Sequence, residues 1–346
     1  MLHIAYIGNG KSVNRYHAPF VLTRPDAWHI QTIYDRHVNT PKWPHLEGVH
    51  YTDQLEDIWQ DDRIDLVVVS TGVDSHFEYG MQALKHGKNV LIEKPMTRTY
   101  QEAKMLFDTA KRKGLFVQCY QNRRFDADYL TTLKVIESGK LGEIYEVDMH
   151  FDYYRPEVPQ NAMHTPPYHS FLYGHGCHTI DQVIAYWGKP QHIHYDVQCL
   201  CGTDHMNDYF DVDLYYPGLK VSVKSSYFRI KPRPSFVVYG KRGMFIKEKK
   251  DRQEEHLKLF YMPGQPDFGL DRPEDYGTLT YVDDKGIYHE EKVISEQGDY
   301  ARIYDGIEAS LLHQTEKLIK DEETLTLMEI LETGIKQQRE GGSSDD

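Results

Sequence analysis

Long apolar runs are missing from this sequence, and none approaches the roughly 20 residues that a bilayer-spanning helix needs. A charged leader with a cleavage site is missing too, since Met1 runs almost at once into Ile4-Ala5-Tyr6-Ile7. The expected location is therefore the cytoplasm, with no membrane partner. Cysteine is scarce. The four present (Cys119, Cys177, Cys199, Cys201) form no zinc-type CxxC pair, so reduced thiols are expected instead of a disulfide framework. A basic excess is also absent. Lys and Arg number 40 against 53 Asp and Glu, a net charge of -13, which argues against nucleic acid as a partner. No internal repeat is visible, and only residues 341–346 read as a disordered tail.

What remains is ordinary globular material. The 346 residues, 40% hydrophobic and 27% charged, suffice for one large domain or two. Over the first 120 residues, short runs rich in branched side chains alternate with helical patterns. The runs are His3–Ile7, His29–Tyr34, Asp65–Ser70, Asn89–Ile92 and Leu115–Cys119. Ser75 is a candidate cap for one helix. Thr99 with Glu102 makes a capping box for the next, which Gly114 closes. Such alternation predicts a doubly wound parallel sheet with helices on both faces.

After Asn122 the rhythm changes. Helices are predicted over Ala127–Glu137, His178–Trp187 and within 300–339, with successive strands at Glu143–Tyr153, Tyr209–Tyr215, Lys220–Tyr227, Phe236–Tyr239 and Met244–Lys247. This pattern predicts an α+β domain on a mostly antiparallel sheet. The expected division is a dinucleotide-binding domain over 1–121 and a substrate and oligomerisation domain over 122–340. The second sheet needs its other face covered, so a homo-oligomer is expected there.

Ile4-Ala5-Tyr6-Ile7-Gly8-Asn9-Gly10-Lys11-Ser12-Val13 runs from a strand into a Gly-x-Gly turn and a helical segment. Gly8 permits the tight turn, and Gly10 lets a pyrophosphate approach the backbone. Val13 stands where a third glycine is usual, and Pro19 should interrupt the helix. Asp35 ends the second strand, where a ribose-binding acid is expected. Asp35 favours NAD, whereas Lys11 and Arg36 favour the 2′-phosphate of NADP.

Glu93-Lys94-Pro95 follows the Asn89–Ile92 strand, at the edge where parallel sheets place ligands. A lysine there could stabilise an alkoxide developing on a substrate hydroxyl. In Tyr173-Gly174-His175-Gly176-Cys177-His178-Thr179-Ile180-Asp181-Gln182, His178 could take the hydroxyl proton, with Asp181 and Gln182 one turn on to orient it. His164, His169, His175 and His178 fit no zinc spacing, so no metal is expected. Asn122 and Arg123, in Tyr120-Gln121-Asn122-Arg123-Arg124-Phe125, and Tyr154 and Arg155, in Tyr153-Tyr154-Arg155-Pro156-Glu157, suit a polyhydroxylated ligand.

Taken in order, these motifs resemble the glucose–fructose oxidoreductase/inositol dehydrogenase (Gfo/Idh/MocA) family from Ile4 to about Arg339, and within it the subgroup of NADP-dependent scyllo-inositol dehydrogenase. The resemblance implies a Rossmann domain followed by an α/β domain with a large open sheet used for assembly into dimers or tetramers. It implies Lys94 and His178 as catalytic residues, and Thr71, Ser75, His76, Glu93 and Lys94 itself along the cofactor. It tips the nucleotide toward NADP. The substrate it implies is a sugar or a cyclic, inositol-like polyol. Many members carry an aspartate four residues before the catalytic histidine, where this chain has Gly174. Asp181, Tyr173 or His175 could substitute. A non-catalytic dinucleotide-binding sensor and a redox-assisted NAD-dependent glycosidase stand as alternatives to a dehydrogenase.

Overall fold

The computed structural model describes residues 1–341. Gly341 ends the last helix, and the rest of the expected tail lies outside the described residues. The chain divides into two compact units.

The first unit takes Met1–Asn122 together with two later segments, Glu255–Phe268 and Tyr300–Leu325. Its sheet contains β1 (Leu2–Ile7), β2 (Trp28–Tyr34), β3 (His50–Thr52), β4 (Ile64–Val69), β5 (Asn89–Ile92) and β6 (Val117–Cys119), in the order β3-β2-β1-β4-β5-β6. Every pairing is parallel. Ile4–Ile7 and Leu66–Val69 are fully buried, as central strands covered on both faces must be. The strand order reverses at β1, so β1 and β4 open a crevice at their carboxyl ends.

Helix α1 (Val73–Lys85) leads into β5, and α2 (Tyr100–Lys113) leads into β6. Thr99 caps α2 by accepting from the Glu102 N–H, and Gly114 closes it at φ +67°. The start of α1 differs from expectation. Gly72 occupies the cap position in extended backbone, while the Ser75 hydroxyl, inside the first turn, donates to the Gly72 carbonyl at 3.1 Å. After β1 the chain forms a π-helix over Ser12–His17, then a single α-turn at Ala18–Val21 with Pro19 in its first turn. There a missing N–H costs nothing.

The later segments join this unit through specific contacts. The Phe20 ring lies 5.9 Å from Phe268 and 5.3 Å from Tyr300. Arg24 pairs with Asp305 at 2.9 Å, and Lys317 Nζ donates to the Val117 carbonyl at 2.8 Å.

The second unit takes Arg123–Glu254, Gly269–Asp299 and the chain from Thr326 onward. Its strands are β7 (Ile144–His150), β8 (His192–Gln198), β9 (Tyr209–Tyr216), β10 (Leu219–Ser226), β11 (Phe236–Gly240), β12 (Gly243–Lys247), β13 (Gly277–Val282) and β14 (Tyr288–Val293). They form one sheet in the order β14-β13-β12-β11-β7-β10-β9-β8. Only β7 and β10 run parallel. Helices α3 (Ala127–Glu137) and α4 (Cys177–Trp187) belong to this unit, α5 (Arg302–His313) belongs to the first, and α6 (Asp321–Gly341) closes the described chain. Along β7, Val147 and Met149 are buried on one face. Asp148 lies on the other face, paired with Lys224, and Tyr145, at the register shift opposite Tyr239 and Gly240, stacks on Tyr239. Among the described residues no helix is long and apolar enough to cross a membrane.

Candidate dinucleotide cleft and candidate catalytic residues

In the first unit a cleft of about 500 Å³ opens at the carboxyl ends of β1, β2 and β4. Gly8, Gly10, Lys11 and Ser12 line it from the first turn, Asp35 and Arg36 from the end of β2, and Thr71 and Ser75 from the β4–α1 turn. Gly8 has φ +113°, and a Cβ there would lie 2.6 Å from the Ser70 carbonyl oxygen. Only glycine fits that crossing of β1 and β4.

Both carboxylate oxygens of Asp35 are engaged. Asn9 Nδ2 donates to Oδ2 at 3.0 Å and the His37 N–H donates to Oδ1 at 2.8 Å. Lys42 joins Lys11 and Arg36 on the cleft wall, and Tyr34, His37 and Tyr79 complete it. The sequence reading does not single out Lys42, which sits in the loop after the second strand. The signal available was position alone, since loops at the ends of parallel strands carry ligand contacts.

His76 and Glu93 each stand one bond from this lining. His76 is buried, with Nε2 3.1 Å from the Thr71 carbonyl and Nδ1 3.0 Å from that of Pro95. Burial pushes its imidazole below the ordinary histidine value. Glu93 accepts from the Ser12 hydroxyl and from His17 Nε2, the latter at 3.0 Å, and its other oxygen accepts from the Lys94 N–H at 3.0 Å. Burial raises the Glu93 carboxyl, but the His17 bond and charge, with Lys94 and Ser12, outweigh it and hold the group at about 2. Glu93 is therefore a carboxylate at any working pH. Lys94 is half-buried, just before a cis bond to Pro95. The two buried partners tie the turn that carries it to the cleft wall on both sides. Asn122, at the end of this unit, is buried.

In the second unit His178 is the second residue of α4 and 7% exposed. It follows a π-helix over Leu172–Gly176. A Cβ on Gly176 would meet Leu172 at 2.8 Å, whereas one on Gly174 meets nothing within 4 Å. Glycine at 174 is thus not required by packing.

Asp181 is held by Arg124. Its two oxygens accept from Arg124 Nε and Nη2, each at 2.7 Å, because a buried carboxylate is best matched by a bidentate guanidinium. Gln182 likewise turns to the neighbouring backbone, donating to the Arg123 carbonyl at 2.6 Å. Of the other candidates near Gly174, Tyr173 is buried, and the His175 ring lies 4.7 Å from Phe171 and 5.0 Å from Tyr153.

Arg123 is buried, paired with Asp126 and Glu254, and stacked 4.7 Å over Phe151. Tyr154 is exposed, and Arg155 is exposed with its guanidinium 4.9 Å over Tyr153. No group of three or more His, Cys, Asp or Glu side chains among the described residues is placed to hold a metal ion.

Residues 2–121 match the oxidoreductase family described by its NAD-binding Rossmann fold, and residues 134–344 match that family's C-terminal alpha/beta domain. The chain belongs to the Gfo/Idh/MocA oxidoreductases. It is 46% identical over 338 residues to the oxidoreductase YhhX of Escherichia coli (strain K12), covering 97% of each chain. It is 31% identical to the scyllo-inositol 2-dehydrogenase (NADP(+)) IolW of Bacillus subtilis (strain 168), covering 98% of this chain and 94% of that protein. Among solved structures, an oxidoreductase from Bacillus cereus superposes with a TM-score of 0.91 at 36% identity, over 97% of this chain and 96% of the other. The protein is thus an oxidoreductase with an NAD(P)-binding domain, and the cleft at the ends of β1, β2 and β4 lies in that domain.

Proposed function

We propose that this oxidoreductase prefers NADP and moves hydride between its nicotinamide and a CH–OH carbon of a sugar or inositol-like polyol. Lys94 donates to the substrate oxygen and steadies the charge that develops there. His178 takes the hydroxyl proton in oxidation and returns it in reduction. The observation that carries the nucleotide preference is the charge of the cleft wall. Lys11, Arg36 and Lys42 line it against one carboxylate, Asp35, already engaged by Asn9 and His37. A 2′-phosphate gains ion pairs as well as charge-assisted hydrogen bonds from such a wall, whereas a neutral 2′-hydroxyl gains no ion pair. The polyol class is supported by the inositol dehydrogenase relative.

The test is a panel of inositols, sugars and their keto forms with NADP(H) and NAD(H), followed at the nicotinamide absorbance. NADP-linked turnover of a polyol is expected. Replacing Arg36 and Lys42 together by Ala should weaken NADP by about 10- to 100-fold, the value of a charged hydrogen bond, with little effect on NAD. A wild-type enzyme that favours NAD, or turns over no polyol, overturns the corresponding half of the proposal.

We further propose that the protein acts as a homo-oligomer through the face of the β7–β14 sheet that carries Tyr145, Asp148, Lys224 and Tyr239. Their ion pairs and stacked rings form a mixed polar and aromatic surface of the kind interfaces use. A monomer in equilibrium sedimentation contradicts this.

A further inference from the structure

Within the first unit, one buried chain of side chains passes from the cofactor loop through Glu93 to a helix almost 300 residues away in sequence. His17 is fully buried. Its Nε2 lies 3.0 Å from Glu93 Oε1 and its Nδ1 lies 2.6 Å from the Tyr304 hydroxyl. Tyr304, on α5, is also fully buried. Around the imidazole stand Tyr120, with its ring centre at 4.0 Å, and Tyr6 at 5.9 Å.

Burial pushes the Tyr304 phenol well above its ordinary value, so it keeps its proton. His17 Nε2–H donates to the Glu93 carboxylate, and a ring bonded at both nitrogens is held in one orientation. The π-helix over Ser12–His17 has a role in this. Its wider turn places Ser12 and His17, five residues apart, on the same Glu93 oxygen, and π-turns are a recurrent device at functional sites.

We propose that His17 and Tyr304 are positioning residues that hold the Glu93 carboxylate so that it sets both the Ser12 hydroxyl at the dinucleotide cleft and the Lys94 peptide N–H. The cofactor loop and the lysine turn are then oriented by one carboxylate, whose orientation is set from α5. The Lys94 half rests on the role proposed for Lys94 above. The cleft half does not, since dinucleotide affinity is measured without any substrate.

Two substitutions separate positioning from packing. His17→Phe keeps a ring against Tyr120 but cannot donate, whereas His17→Gln loses the ring and still offers an N–H to Glu93. Positioning predicts that NADPH affinity, measured by fluorescence titration, falls at least about tenfold in the Phe variant and much less in the Gln variant. Equal affinities, or the reverse order, overturn the proposal. Should His17→Phe not fold, Tyr304→Phe removes a single hydroxyl, and a cycle with Ser12→Ala decides the matter. The two losses in affinity should fail to multiply, because both act through Glu93. Independent losses in folded protein refute the chain and leave the assignment of Lys94 standing, whereas normal turnover in Lys94→Ala removes that assignment and leaves the affinity results intact.

Discussion

Lys94→Ala is expected to lower turnover of the polyol substrate by roughly 10²–10³-fold, the usual cost of removing one preorganised donor to a developing oxyanion, while NADPH affinity is kept. The separation follows from where the functional atoms sit. The part of residue 94 that holds the turn in place is its backbone N–H, which donates to Glu93 and survives in alanine. The bond from His76 to Pro95 also survives. What is lost is the side chain beyond Cβ, with its amine. Single-turnover rates with NADPH and the keto substrate are the right measurement, because they exclude product release. A Lys94→Arg variant keeps the charge but not the compact ammonium, and it should recover little of the rate. Turnover at the wild-type rate in the alanine variant removes the proposed chemistry. Loss of NADPH binding in step with turnover would instead make Lys94 a cofactor residue. His178→Asn should also be slow, by about 10²–10⁴-fold for loss of a general base. The double variant should be little slower than the worse single, since groups that act on one proton and one oxygen are not additive.

The fold and the cleft differ in how far they could be read from sequence. The three-residue edge strand β3, largely unburied, was not legible. The rest of the parallel sheet was, because its central strands β1, β4 and β5 are largely apolar runs, and the caps at Thr99 and Gly114 were legible because capping is local chemistry. The strands β8, β13 and β14 were missed. Tyr288–Val293 is half-exposed to exposed along its length and carries no clear alternation, whereas His192–Gln198 alternates Ile193, Tyr195 and Val197 with polar residues and was overlooked. The two stand at the edges of their sheet. Ser75 looked like a cap because serine usually is one, but the chain reaches helical geometry at Val73, directly after Gly72. Gly8, Gly10, Lys11, Ser12, Asp35, Arg36, Thr71 and Ser75 line one cleft because they all belong to turns at the carboxyl ends of neighbouring strands, and the strand pattern carries that information. The partners of Glu93 and Asp181 were hidden for the opposite reason. His17 is 76 residues from Glu93, Tyr304 is 287 from His17, and Arg124 is 57 from Asp181. No local pattern encodes such pairings. The segments Glu255–Phe268 and Tyr300–Leu325 join the first unit in the same non-local way.

Arg124→Met is expected to destabilise the protein by about 3–5 kcal/mol, the cost of leaving one member of a buried ion pair alone. The pair is 8% and 1% exposed on its two side chains, and both carboxylate oxygens are satisfied by the same guanidinium. Methionine supplies similar volume, so the loss comes from charge and not from a cavity. The Asp181 carboxylate would have to remain ionised in a dry site, take up a proton, or draw water into the interior. Urea unfolding should show a lower midpoint at an unchanged slope. Adding Asp181→Leu should restore most of the stability, since replacing both charges by apolar groups is often neutral or better. That double variant also separates stability from function. His178 and Asp181 lie three residues apart in α4 and so share one side of the helix, and the Arg124 pair ties that side to the turn at 122–125. If the pair serves only to hold α4, the stable double variant should turn over like the wild type. A folded double variant with kcat lowered more than about tenfold at unchanged substrate KM would instead show that the charge of Asp181 contributes at the transition state, and the acid missing at Gly174 would then have its replacement one turn further along the same helix.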